Sequence, residues 1–189
     1  MFQMNSQIMN LKRKVEQYKV VLANTREYRD LWSSELKEMI MTDLKKHADD
    51  LELDCEVTCK SDLENLQAVV LSLGQVKSGM FEAINETLKR HLVKHNGGLV
   101  YQQLFNGKII VLINYPYIEG YGQPQQPKTI GIYRPEELTP PFIVRHLEEF
   151  ITEVTNWEDF DDDQPSNANK IGFQLNFGGE PEGSQGTRS

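Results

Sequence analysis

Cysteine is nearly absent: Cys55 and Cys59 are the only two among 189 residues. Two thiols cannot staple a chain of this size, so the fold must rest on an apolar core, with a reduced intracellular pair as the default. No apolar run approaches the roughly 20 residues of a membrane-spanning helix, so no membrane partner is expected. The first residues, MFQMNSQIMNLKRK, carry charge where a signal peptide needs an apolar stretch of about 7–15 residues. The chain is therefore expected in the cytoplasm or within an assembled particle such as a virion. A basic surplus is missing too. Net charge is −8, and residues 151–189 alone hold two basic and eight acidic side chains. The nearly neutral remainder lacks the cationic footprint that phosphates attract, so nucleic acid is not an expected partner.

Proline and glycine are absent from the N-terminal third; the first glycine is Gly74 and the first proline Pro116. Residues 1–50 therefore read as one long helix rich in helix formers. Met4, Ile8, Leu11, Val15, Tyr18 and Leu22 alternate at spacings of four and three, the pattern of a coiled-coil seam. Thr25 and Arg29 break it, Trp32 and Leu36 resume it, and Leu36, Ile40 and Leu44 form a wider stripe suited to a globular body. Residues to about 24 are expected to face a partner helix, and those after about 28 to dock on the chain's own sheet.

At 39% apolar and 25% charged residues, the chain has the composition of an ordinary folded protein, and residues 51–157 read as its body. Leu51 to Cys59 alternates with period two and reads as a strand, with Leu66–Leu73 as its antiparallel neighbour. Ser78–His95 places Met80, Phe81, Ile84, Leu88 and Leu92 at helical spacing and reads as a helix ended by Asn96, Gly97 and Gly98. Asn106-Gly107 between two apolar runs predicts a hairpin with a two-residue type I′ turn. Pro116–Pro127 reads as a long loop whose Tyr117 and Tyr121 offer a binding surface. Thr129–Tyr133 is a further strand, and Thr139 caps a closing helix entered by Pro140 and Pro141.

An acidic linker (158–170) follows, then a strand-like arm and tail (171–189) in which Ile171, Phe173, Leu175 and Phe177 share one face. A lone amphipathic strand is not stable by itself, so it must pair with its own sheet or with another chain. The fold class expected is thus α+β: a long N-terminal helix, then ββ-α-βββ-α around one mostly antiparallel sheet, with an extended C-terminal arm.

Chemistry is harder to find. Cys55, Cys59, His91 and His95 form a C-x₃-C and an H-x₃-H, but strand residues four apart lie about 13 Å from each other, too far for one zinc ion. None of the four histidines sits in a glycine-bounded elbow beside a nucleophile. The Gly120/Gly122 pair lacks the third glycine and the following helix of a phosphate loop. The expectation is no catalytic residue, no metal and no cofactor. The leading reading is a structural or assembly protein of a multi-subunit particle, with a bacteriophage or tail-like virion as the preferred setting. It would contact protein partners as a homo- or hetero-oligomer through Ile8, Leu11, Val15, Tyr18 and Leu22, and through the arm. The alternatives are a soluble adaptor or chaperone-like module using the Tyr/Pro loop, and a hydrolase or metal enzyme using His91.

Overall fold

Without a helix breaker, the first fifty residues stay helical: α1 (Phe2–Leu31), a five-residue π turn (Trp32–Leu36) and α2 (Lys37–Asp50). The computed structural model describes residues 2–85 and 87–160, with side chains from Ser6 onward. Tyr28, Trp32, Leu36, Ile40, Leu44 and Ala48 are buried, each four residues after the last. In a regular helix, a step of four overshoots one turn by about 40°, so five such steps would wind the stripe about 200° around the helix. The π turn, in which the Lys37 amide donates to the Trp32 carbonyl, takes up one residue, or about 100° of that drift. It lets one buried stripe face the body over its whole length.

Eight strands follow: β1 (Glu56–Lys60), β2 (Ala68–Ser72), β3 (Gln75–Ala83), β4 (Lys89–His95), β5 (Gly98–Gln103), β6 (Ile109–Asn114), β7 (Tyr117–Ile118) and β8 (Lys128–Tyr133). A 3₁₀ turn (Pro135–Glu137) leads into α3 (Pro140–Glu158). The class is α+β, with two antiparallel sheets instead of the single one expected. The larger has the order β1-β2-β5-β6-β8 and the smaller β3-β4-β7. Helix α2 packs on β1 and β2, α3 on β5, and the two helices on each other. Val69, Leu71, Leu99, Tyr101, Ile109, Val111 and Ile113 bring the larger sheet into this core. Trp32, Ile40, Leu44, Ile143 and Phe150 meet them from the helices.

The helix expected over 78–95 is a β-ribbon. β3 and β4 pair from Gln75↔His95 to Ala83↔Lys89, with a register shift between Lys77 and Phe81. Gly79 sits in that shift at φ +79, and the Asn85 side chain accepts hydrogen bonds from the amides of Thr87 and Leu88 to close the tip. Apolar spacing imitated a helix here; the bulge glycine and the Asn-centred turn were the contrary signals.

Four smaller corrections share one cause, backbone hydrogen bonding that apolar spacing does not report. The strand expected from Leu51 begins at Glu56, because helix runs to Asp50 and Glu52 turns the chain at φ 53. The Asn-Gly hairpin has a three-residue loop in which only Gly107 is left-handed (φ +77), with Leu104 accepting from the Gly107 amide at 2.8 Å. The Pro116–Pro127 loop holds a short strand, Tyr117–Ile118, paired with β4. Thr139 does precede α3, but its carbonyl, not its side chain, takes a bond from the Phe142 amide at 2.9 Å.

Candidate interaction surface

Helix α1 leaves the body at one well-marked point. Every side chain over residues 6–23 is exposed, whereas Tyr28 and Trp32 are buried. Among the seam residues, Leu11 is 61% and Tyr18 62% exposed, with Ile8, Val15 and Leu22 exposed as well. The segment is about 27 Å long at about 1.5 Å per residue. At about 100° per residue, Lys12 and Lys19 border the seam on one side and Lys14 on the other. Lys19 also holds Glu16 at 2.8 Å.

The tip of the β5–β6 hairpin marks the exit point. Arg29 Nη2 donates to the Phe105 carbonyl at 2.6 Å. A Cβ on Gly107 would stand 2.7 Å from Tyr28 Cβ and 3.0 Å from the Thr25 carbonyl oxygen. Gly107 is thus required twice, for its left-handed φ and for the close approach of helix to hairpin. Gly107→Ala should cost about 2 kcal/mol. Amide exchange over 25–32 should quicken with it; unchanged exchange and an unchanged denaturation midpoint would refute the clamp.

The other residues singled out in the sequence are dispersed. Tyr117 stacks on His95 with ring centroids 4.3 Å apart and planes 6° from parallel. His95 also meets Glu119 at 2.8 Å and Gln75 at 3.2 Å. Tyr121 bridges to Ile118. On β4, His91 lies against Phe81, four strand positions from His95 instead of one helical turn. Cys59 pairs with Val69 in the sheet, and Cys55 packs on the core edge, where burial and the charges of Asp54 and Asp49 push its thiol upward. Among the described residues, no three His, Cys, Asp or Glu side chains are grouped to hold a metal ion. The arm residues Ile171, Phe173, Leu175 and Phe177, and the linker beyond Phe160, lie outside the described residues.

Two polar clusters that sequence reasoning missed hold α3 in place. His146 is buried between two tyrosines, 3.1 Å from the Tyr101 hydroxyl and 3.1 Å from that of Tyr133. Nearer the helix end, Lys128 Nζ lies 2.9 Å from Glu149 and 2.7 Å from Glu153, and the Tyr115 hydroxyl donates to Glu153 at 2.8 Å. Burial alone would raise the Glu153 carboxyl, but the hydrogen bonds and the Lys128 charge outweigh it and hold it below its usual range. Tyr115 is pushed up to about 12 by burial and by its bond to Glu153.

The β3–β4 ribbon adds a second exposed apolar element: Phe81, Ile84 and Leu88 are all more than half exposed at its outer end. No helix of the described residues is long and apolar enough to cross a membrane. Comparison with protein-family models, curated proteins and solved structures gave no match.

Proposed function

We propose that this chain is a non-enzymatic assembly component of a multi-subunit particle, of the kind that builds bacteriophage or tail-like structures. Residues 6–23 are its contact with the helix of a neighbouring subunit, and the 171–177 arm is a second contact. The observation that carries the reading is the exposed seam on a helix whose body-facing stripe begins only at Tyr28. A helix of this length gains little from its own propensity in water, and a partner along an apolar stripe is the usual source of stability.

The size of the contact fits assembly. Burying five seam side chains contributes about 1.5–3 kcal/mol each, against about 4–15 kcal/mol for lost freedom on association. One seam is therefore a weak, reversible contact that repetition in a particle multiplies. Its charge narrows the partner. Lys12, Lys14 and Lys19 on the seam flanks repel the same residues of a second seam, so the fitting helix carries carboxylates there.

A charge-reversed copy (Lys12→Glu, Lys14→Glu, Lys19→Glu) serves as a probe for that partner. On mixing with the parent protein at high micromolar concentration, amide exchange over 6–23 of the parent should slow by at least about tenfold. Raised salt should remove the effect, as should Ile8→Asp with Val15→Asp. Exchange that is the same with and without the probe would overturn the seam as a contact.

A further inference from the structure

The outer end of the β3–β4 ribbon and a groove between α2 and α3 complement each other in shape and charge. The ribbon end exposes Phe81, Ile84 and Leu88. It is held in one shape, because Ile84 and Asn85 both donate to the Leu88 carbonyl, at 2.9 and 3.3 Å, and the Asn85 side chain closes the turn. A preformed apolar tip loses little freedom on docking. Its base is anchored on the body by Lys94, which meets Glu158 at 2.5 Å and lies over the Trp157 ring.

The groove has a volume of about 350 Å³ and is lined by His47 and Leu51 from the α2 end and by Val144, Leu147, Ile151 and Thr152 from α3. A cavity of about 150 Å³ already accepts a benzene ring, so this one has room for a phenylalanine and an aliphatic neighbour. Leu51 is 68% exposed beside it. Glu148 lines the groove, and Asp50 and Glu52 flank Leu51. Asp43, one turn before His47, has a shielded Oδ2 with no hydrogen-bond partner among the described residues. The rim is thus acidic. The ribbon supplies Lys77 and Lys89, which have no ion-pair partner among the described residues, while Arg90 is engaged by Glu82 at 2.7 Å.

We infer that the ribbon end of one copy seats in the α2–α3 groove of a second copy. The apolar side chains fill the groove and Lys89 faces its carboxylates. This rests on the assembly reading and names a second copy as one of the neighbours, through residues separate from the helix seam. Because tip and groove are different patches, the contact is head-to-tail and repeats along a ring or filament.

The test uses full chains carrying Ile8→Asp and Val15→Asp, so that the helix seam takes no part. Sedimentation of this parent should show mass rising with concentration beyond two chains. A tip variant (Phe81→Asp, Ile84→Asp) and a groove variant (Leu51→Asp, Val144→Asp) should each remain at one chain mass, with circular dichroism unchanged. Their mixture should form a species of two chains, since one intact tip meets one intact groove. A mixture that stays at one chain mass, a tip variant that keeps the parent's mass, or a parent that never exceeds one chain would each overturn the inference. The helix reading is unaffected by any of these, because its readout is exchange over 6–23 in the unaltered chain.

Discussion

Replacing Trp32 by alanine should lower the stability of the folded chain by about 3–5 kcal/mol, the range for deleting a large buried aromatic. Trp32 is fully buried and opens the π turn, and its indole N–H donates to the Gln67 side-chain carbonyl at 3.2 Å. The variant therefore loses packing against the sheet and leaves a polar acceptor without its donor. For a chain of this size, that loss lowers the thermal midpoint by about 6–20 °C. Deleting Ser34 makes a telling control. Ser34 is exposed within the same turn, and its removal converts the wide turn to a regular one while keeping both flanks in phase. Inserting one alanine there rotates the flanks by about 100° against each other. Thermal melts should rank the deletion as mild and the insertion as severe as Trp32→Ala. An insertion without effect would show that the stripe's phase is not what holds the long helix to the body.

Acidification should destabilise the fold by about 3 kcal/mol through His146 alone. Burial, with the positive charge of Arg145, depresses its folded value to about 4 from an ordinary 6.5, and Glu149 only partly opposes them. A neutral imidazole donates from one nitrogen and accepts at the other, which suits two tyrosine hydroxyls. In the unfolded chain the ring gains its proton at higher pH than in the folded one, so stability rises with pH across this window. It is fully present above about 6.5 and is lost as pH falls toward 4. The Glu153 contribution lies lower: it is present above an ordinary 4.5 and is lost beneath it. Denaturant midpoints between pH 6.5 and 4.5 should therefore fall in the parent. In His146→Phe they should stay level. An equal slope in both proteins would remove His146 as the cause.

Gln103 shows a cost that the fold tolerates. It is buried at the end of β5, and neither amide atom of its side chain has a hydrogen-bond partner among the described residues. Such a group costs about 1–3 kcal/mol, which the apolar core around it, with Ile109 as its partner on β6, offsets.

The long helix, the β1–β2 pair, the 98–114 hairpin and α3 were legible in the sequence because their signals are local. The absence of glycine and proline leaves residues 2–50 helical, an Asn-Gly pair turns β5 into β6, and Pro140 starts a helix. Thr25 and Arg29 interrupt the apolar spacing of α1 just where burial begins, at Tyr28. What the sequence could not decide was any choice between equally good local periods. Met80, Phe81, Ile84, Leu88 and Leu92 satisfy a helix, yet a bulge at Gly79 and pairing with β7 make them a ribbon. The π turn is likewise invisible locally, because its effect is to keep six buried residues on one side of a long helix. The His146 cluster and the α2–α3 groove join residues from distant segments, and only tertiary packing brings those together. Sequence by itself determined that the two ends of the body are helical, where the apolar spacing of the first helix breaks, and which residues turn the central hairpin. Tertiary structure decided the ribbon, the phase of the long helix and the walls of the groove, because each depends on contacts between residues far apart in the chain.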